Sequence, residues 1–471
     1  MNKNLRLTTL LVSTTTLSMA FTPAAGQETP GGLTLTYGIS STLRANDNIG
    51  LDTPSPGDSF LWDNRLSFGL LKETQTDTLE LDLSGILRLS DTPATSDGFD
   101  FDDQRVRFGY DREGANSRLG FGARYRRSDL SFTDPVRLIL DDLNNDGVID
   151  DQDFLVDDGT LNNTDLDFEF ETGTNSAFGA GIELSYDFRR YEDTTDPGLF
   201  DEDIFTAEVF GRFDISPVAE GRIVLGYEFF DQDDVTQEER ETYETRFELD
   251  YALNPVTTLE AMIGYRDIEE TTIIPTVITE SGIIAGLGLT RDLANGSAGV
   301  DLETDLTVTG RRSTLIFNRS LDLPTGELDV AIGAAYSDSS DETDVVGSLS
   351  YTHNLPRGSI TATLEREALT DEDGDDRVTT LAGLELFNQI NPVSSLLFEF
   401  DYVMNDTTIG GGAVDNDTDA ATFRATYIRE LTRDWNLRTG YEYRSLDRTV
   451  DGFRDSNEIF VTLEREFTIR R

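Results

Sequence analysis

The side chains of this sequence alternate. Leu79, Leu81, Leu83, Leu87 and Leu89 are interleaved with Glu80, Asp82, Ser84 and Arg88. Tyr243, Phe247, Leu249, Tyr251 and Leu253 oppose Glu244, Arg246, Glu248 and Asp250. Ala298, Val300, Leu302, Leu306 and Val308 oppose Asp301, Glu303 and Asp305. Successive side chains of an extended strand point to opposite faces, so each segment has one apolar face and one charged face. A chain that repeats this along its whole length builds sheet, not helical bundle. The ordered recurrence of Phe and Tyr also separates it from the disordered chains that share its acidity.

Turn signals punctuate these segments in two sizes. Short ones include TQTD, GANS, ISPV, LNPV, LPTG and INPV, where Pro, Gly and Asn supply tight-turn geometry. Long ones, such as NDNIGLDTPSPGD and EDTTDPGLFDED, are acidic. The two kinds roughly alternate. A soluble exported sandwich would also alternate apolar and polar residues. Three features favour a membrane barrel instead: segments that reach the ~9–11 residues a tilted strand needs to cross a bilayer, alternating connection lengths, and aromatic residues near segment ends. A sheet facing lipid cannot leave its edge amides unpaired, so it must close on itself. The expectation is an all-β fold, a closed antiparallel transmembrane β-barrel of about 22 strands, roughly 18–24, with short periplasmic turns and longer acidic extracellular loops. LTLTYGISSTL is the first strand and EIFVTLEREFTI the last. The barrel starts almost at the mature N-terminus, which leaves no separate plug domain and argues against a plugged, energised transporter.

The ends of the chain set the compartment. MNKNLR, an apolar Thr-rich core and small residues at Ala24 and Gly26 predict a signal peptide over 1–26, with the barrel over 27–471. No later run approaches the about 18 apolar residues of a transmembrane helix. The 471 residues include no Cys, so no disulfide staples the fold. A formal net charge of −52 excludes nucleic acid as a partner, since phosphate binding needs basic patches. The expected location is the bacterial outer membrane. Expected contacts are its lipid and lipopolysaccharide, the barrel-assembly machinery and small hydrophilic solutes; the oligomeric state is left open.

Two stretches carry a resemblance. IFVTLEREF, alternating Ile459, Val461, Leu463 and Phe467, resembles the C-terminal signal by which outer-membrane proteins are recognised for barrel assembly, with Phe467 as its aromatic. YGISSTLRANDNIGLD followed by GDSFLWDNRLSFGLL resembles the opening hairpin of the beta-barrel porin 2 family. That resemblance implies a Gram-negative outer-membrane barrel whose solutes are largely unassigned, with some relatives associated with exopolysaccharide production.

The sharpest local motif is DLNNDGVIDDQD, within a long connection predicted over 133–164. Its spacing matches a calcium loop: side-chain oxygens from Asp142, Asn144 and Asp146, a turn at Gly147, the Val148 carbonyl, Asp150 directly or through water, and Asp153 last. The shorter Asp153 in place of Glu predicts weak, structural Ca²⁺ binding; a chance match in an acidic loop is the alternative. The lone His353, near a short turn, reads as a rim residue, and no catalytic site is expected. The charged strand faces matter more. Glu80, Asp82, Arg88, Glu183, Asp187, Glu244, Arg246, Glu248, Asp250, Asp301, Glu303, Asp305, Glu399 and Asp401, with Arg266 and Arg438, are expected to face the lumen, because Arg or Lys facing lipid at mid-depth costs about 2–4 kcal/mol. Two readings follow: ion pairs that fill the lumen, or an aqueous pore that prefers cations. The functional expectation is a channel for passive diffusion of small hydrophilic solutes. An accessory to exopolysaccharide export and a surface adhesive barrel are the alternatives.

Overall fold

The computed structural model describes residues 31–93, 98–134, 136, 154, 159–196, 198–235, 237–273, 277–370, 376–408, 417–449 and 452–470. Signal-peptide residues 1–26 and all six proposed calcium ligands lie outside them. Alternation has its expected consequence, a succession of extended segments. The first are β1 (Gly32–Asn46), β2 (Ser59–Glu73), β3 (Asp77–Asp91), β4 (Gly98–Glu113), β5 (Ser117–Asp129), β6 (Thr160–Thr172) and β7 (Phe178–Glu192). There follow β8 (Glu202–Ser216), β9 (Ala219–Gln232), β10 (Glu238–Asn254), β11 (Thr257–Thr271), β12 (Val277–Leu293), β13 (Gly296–Thr307), β14 (Gly310–Leu323) and β15 (Gly326–Ser337). The last are β16 (Glu342–Leu355), β17 (Gly358–Thr370), β18 (Asp376–Asn391), β19 (Ser394–Thr408), β20 (Thr418–Thr432), β21 (Trp435–Arg448) and β22 (Gly452–Arg470). The 133–164 connection is shorter than expected, because β6 already begins at Thr160. No described helix is long and apolar enough to cross a membrane.

Each strand pairs antiparallel with the next, and β1 pairs with β22 from Thr34↔Arg470 to Asn46↔Glu458. The 22 strands therefore form one closed ring with no free edge, as the need to satisfy every backbone amide in lipid requires. Tight turns join β2 to β3, β4 to β5 and so on at one end. The longer connections gather at the other, the end expected to be extracellular and called so below.

Register separates the two faces of the wall. Leu43, Trp62 and Leu89 lie side by side on one face, as do Tyr37, Phe68, Leu83 and Val106. Ring order identifies the other face as the interior. Val136 and Phe154, from the β5–β6 connection, and Leu51, from the β1–β2 connection, pack on Val403, Ala420 and Leu446 of β19, β20 and β21. A segment that leaves the wall at β5 reaches that arc through the lumen. Residues sharing a parity with Val403, Ala420 and Leu446 therefore point inward.

The inner face holds more than charge. Phe210, Val224, Ile268, Ile284, Val403 and Leu446 share the parity of the carboxylates and are buried, all toward the extracellular half or the middle. Val403 and Leu446, and Ile268 and Ile284, are seats for chain that folds inward. At the β13–β14 hairpin, β13 stays bonded to β12 only as far as Thr304↔Ala285, although β12 continues along β11 to Val277. The freed tip turns into the lumen, where Leu306 and Val308 pack on Ile268 and Ile284. Alternation had assigned Leu306 and Val308 to the outer face. They leave it because the hairpin peels off the wall. The neighbouring tips follow: Arg312 of β14 reaches Asp376 of β18 at 2.7 Å, and Ser337 of β15 donates to the same carboxylate at 2.8 Å.

Candidate functional site

The interior wall is the candidate site, and three ion-pair networks organise it. On β1–β5, Asp63 lies between Arg44 and Arg88, whose Nε is 2.9 Å away. Arg88 also pairs with Asp102 at 2.6 Å, and its guanidinium lies 4.2 Å from the centroid of the Phe132 ring. Phe132 belongs to a single 3-10 turn, Leu130–Phe132, whose Asp129 cap accepts from the Ser131 amide. Asp103, at a β4 irregularity opposite Ser84–Ile86 with φ of 45°, gathers Arg65, Arg105 and Arg126. The strained backbone turns one carboxylate toward three arginines, a concentration of charge-assisted hydrogen bonds that regular alternation would not give.

The second network sits on β8–β13. Arg246 binds Glu208 at 2.8 Å, Glu244 at 2.7 Å and Glu248 at 2.6 Å. Arg266 binds Glu244 at 2.7 Å and Asp305 at 2.8 Å, which ties the inward hairpin to the wall. Gly264 makes room for this. A Cβ there would lie 2.9 Å from both the Arg246 and the Ile284 side chains. Beside the network is a cavity of about 290 Å³, lined among others by Glu208, Arg240, Arg266, Leu306 and Thr370. Thr370 belongs to β17 and Glu208 to β8, so the cavity is enclosed by arcs that are distant around the ring.

The third network fastens the extracellular connections to β20–β22. Arg424 pairs with Glu442, its Nε at 2.6 Å, and feels the charge of Asp134 from the β5–β6 connection. Arg444 donates to the Ile49 carbonyl at 3.1 Å, and Asn48 donates to the Asp455 carbonyl at 2.9 Å. The apolar seat and these hydrogen bonds thus hold two connections across the interior.

The charged residues singled out by alternation fall on the inner face. Glu80, Asp82 and Arg88 share that side of β3; Glu183 and Asp187 share it on β7; Glu244, Arg246, Glu248 and Asp250 share it on β10. Asp301, Glu303 and Asp305 do so on β13, Glu399 and Asp401 on β19, Arg266 on β11 and Arg438 on β21. They converge on no single point; they are distributed around the wall. Phe467 faces outward beside Tyr37, with the Arg465 guanidinium 4.1 Å from its ring centroid. His353 lies at a short turn, where its Nδ1 is 3.2 Å from the Thr325 hydroxyl. Residues that sequence reading passed over include Asp63, Asp102, Asp103, Arg105 and Arg126. Their signal was the same parity, which for Asp102 and Asp103 is hidden at the β4 irregularity, where the register shifts.

The fold and its interior define a class: a closed 22-strand antiparallel barrel of the outer-membrane kind. No protein-family model matches the chain, and no curated protein matches it. Solved structures do. The chain is similar to the ferric enterobactin receptor of Pseudomonas aeruginosa, at 11% identity over 92% of this chain and 81% of that one, with a TM-score of 0.53. It is similar to the ferric-catecholate import receptor Fiu of E. coli K12, at 11% identity over 94% and 82%, TM-score 0.54. The FrpB iron transporter of Neisseria meningitidis aligns at 8% identity over 94% and 83%, TM-score 0.54. At such identities the likeness is one of fold.

Proposed function

We propose that this protein is a bacterial outer-membrane channel for passive diffusion of small hydrophilic solutes, with a preference for cations. The observation that carries this is the juxtaposition of like charges on the inner wall. Asp250 stands directly across from Glu260, and Glu385 from Glu399. Among the described residues, Glu365, Glu367 and Glu385 make no ion pair within 4 Å. Like charges directly opposed destabilise a sheet, and unpaired charges are expensive in a dry interior. Water and mobile cations relieve both costs. A lumen of 22 strands has room for them between the inward segments. The arginine networks around Asp63, Asp103 and Arg246 support the other expectation, ion pairs that fill space. They account for parts of the wall, not for β17–β19.

The test is the reversal potential across a planar bilayer in a KCl gradient. Cation preference is the expected result, and Glu385→Gln with Glu399→Gln should weaken it by about fourfold at low salt, taking about twofold per charge at ~10 Å in water. Anion preference, or no response to the substitutions, would count against this wall as the selectivity element. A second reading is uptake of a bulky iron chelate, the role that the names of the structural neighbours give those proteins. Only the shared fold favours it, and dependence of growth on such a chelate would separate the two.

Calcium at Asp142, Asn144, Asp146, Val148, Asp150 and Asp153 belongs to this proposal as a clamp on the β5–β6 connection. Its spacing supports it, and so does its place in the chain, between Val136 and Phe154, which share one apolar seat. Millimolar Ca²⁺ is expected to protect the connection from protease, as fits the weak extracellular range of about 10⁻⁴–10⁻³ M. Asp146→Ala should abolish that protection; a parent protein cleaved equally with and without Ca²⁺ would end the idea.

A further inference from the structure

The outward side of the wall sorts its charges by end. In the last turn or two of each strand at the short-turn end, outward positions carry Lys72, Arg112, Arg291, Arg319, Arg429 and Arg465. One carboxylate, Asp77, shares that side, 3.7 Å from Arg112. The inner side of the same strand ends is predominantly acidic, as at Glu73, Glu113, Asp292, Asp322, Glu430 and Glu466. At the long-connection end the outward side reverses. Asp203, Asp231, Glu239, Glu241, Asp267 and Glu269 stand there on β8–β11. In a chain of 90 acidic and 38 basic residues, a basic outward rim at one end is a sorting, not a consequence of composition.

The rim is densest at the β20–β21 hairpin and β22. Arg429, Leu437 and Leu463 lie in one register row, and Arg465 stands two positions beyond it. Strand spacing and rise then put the Arg429 and Arg465 backbones about 12 Å apart. Arg433 lies in the turn between β20 and β21. Arg429 and Arg433 are exposed, and among the described residues neither makes an ion pair within 4 Å. The Arg465 guanidinium lies 5.4 Å from the Trp435 ring centroid and 4.1 Å from that of Phe467, with Asp434 at 3.5 Å. Aromatic rings on the outward side of a barrel mark headgroup depth, and an arginine there keeps its stem in apolar surroundings and its charge at the interface.

We propose that this rim binds anionic phospholipid of the leaflet at the short-turn end, with Arg429, Arg433 and Arg465 holding the phosphate of one headgroup beside Trp435. A guanidinium fork matches phosphate oxygens, and clustered basic residues at headgroup depth attract anionic lipid. The carboxylates of the inner side point away from this surface, across the wall, and salt screens them over about 8–10 Å. The inference concerns the outer surface and holds whether or not the lumen conducts.

The chain has two tryptophans, Trp435 at this rim and Trp62 near the other end of its strand. Trp62→Phe leaves Trp435 as the sole reporter, and Trp435→Phe leaves Trp62. Each full-length barrel is refolded at low salt into phosphatidylcholine vesicles that hold either brominated phosphatidylglycerol or the same proportion of brominated phosphatidylcholine. Quenching of Trp435 is expected to report phosphatidylglycerol enriched about fivefold or more, taking about fivefold per engaged arginine. Arg429→Gln with Arg433→Gln should bring the enrichment down toward one. Salt at ~1 M, where the screening length is about 3 Å, should do the same. Trp62 should report no enrichment. Equal quenching of Trp435 by the two lipids, in a barrel that shows the folded form on a gel, overturns the inference. So does enrichment at Trp62 equal to that at Trp435, or a double variant as enriched as its parent, since neither would place the recognition in these arginines.

Discussion

Replacing Phe154 by Ala is expected to raise the single-channel conductance sharply and to make it noisy. Phe154 is fully buried where the β5–β6 connection meets Leu51, Val136, Val403, Ala420 and Leu446. It stands at the centre of the seat that holds this connection across the lumen. Truncating a buried Phe costs about 3–5 kcal/mol. Since 1.4 kcal/mol is about a tenfold change in population, a loss of that size shifts the balance between seated and released connection by more than about a hundredfold. The barrel itself should survive, because its wall is held by 22 strand pairings, none of which includes Phe154. Phe154→Leu, which keeps most of the apolar volume, should stay close to the parent. Parent-like conductance in Phe154→Ala would show that the inward connections do not restrict the pore.

Leu349→Arg should abolish assembly into the bilayer, whereas Ser348→Arg, one residue away, should be tolerated. Leu349 lies on the outer face near mid-height of β16, between Val330 and Leu364. An arginine there meets hydrocarbon at a cost of about 2–4 kcal/mol, much of the margin of a marginally stable fold. Ser348 faces inward across from Glu365, so an arginine at 348 gains a carboxylate partner. Yield of the heat-modifiable folded form on a gel measures the difference. Equal yields would mean that the parity assigned to the wall is wrong.

Much of this architecture is legible in the alternation alone. Leu79 to Leu89 and Tyr243 to Leu253 announce their two faces, and counting such segments between turn signals reaches the strand number. The charged parity also reads directly from Glu244, Arg246 and Glu248. What alternation hides is whatever leaves the wall. Leu306 and Val308 continue an outer-face pattern in sequence, yet fold inside, since strand periodicity is local and the loss of pairing beyond Thr304 is not. A signal existed: Ile268, Ile284, Val403 and Leu446 interrupt the charged parity with apolar residues. Such interruptions near the extracellular ends mark seats for inward segments. The Asp103 cluster was obscured for a related reason, as one irregular position on β4 reverses the parity that follows it.

Single-channel recording of the refolded full-length barrel in a planar bilayer decides whether the lumen conducts. Stable, stepwise openings that carry cations in preference to anions are the expected result. A barrel that inserts, shows the folded form on a gel and yet remains electrically silent would contradict it.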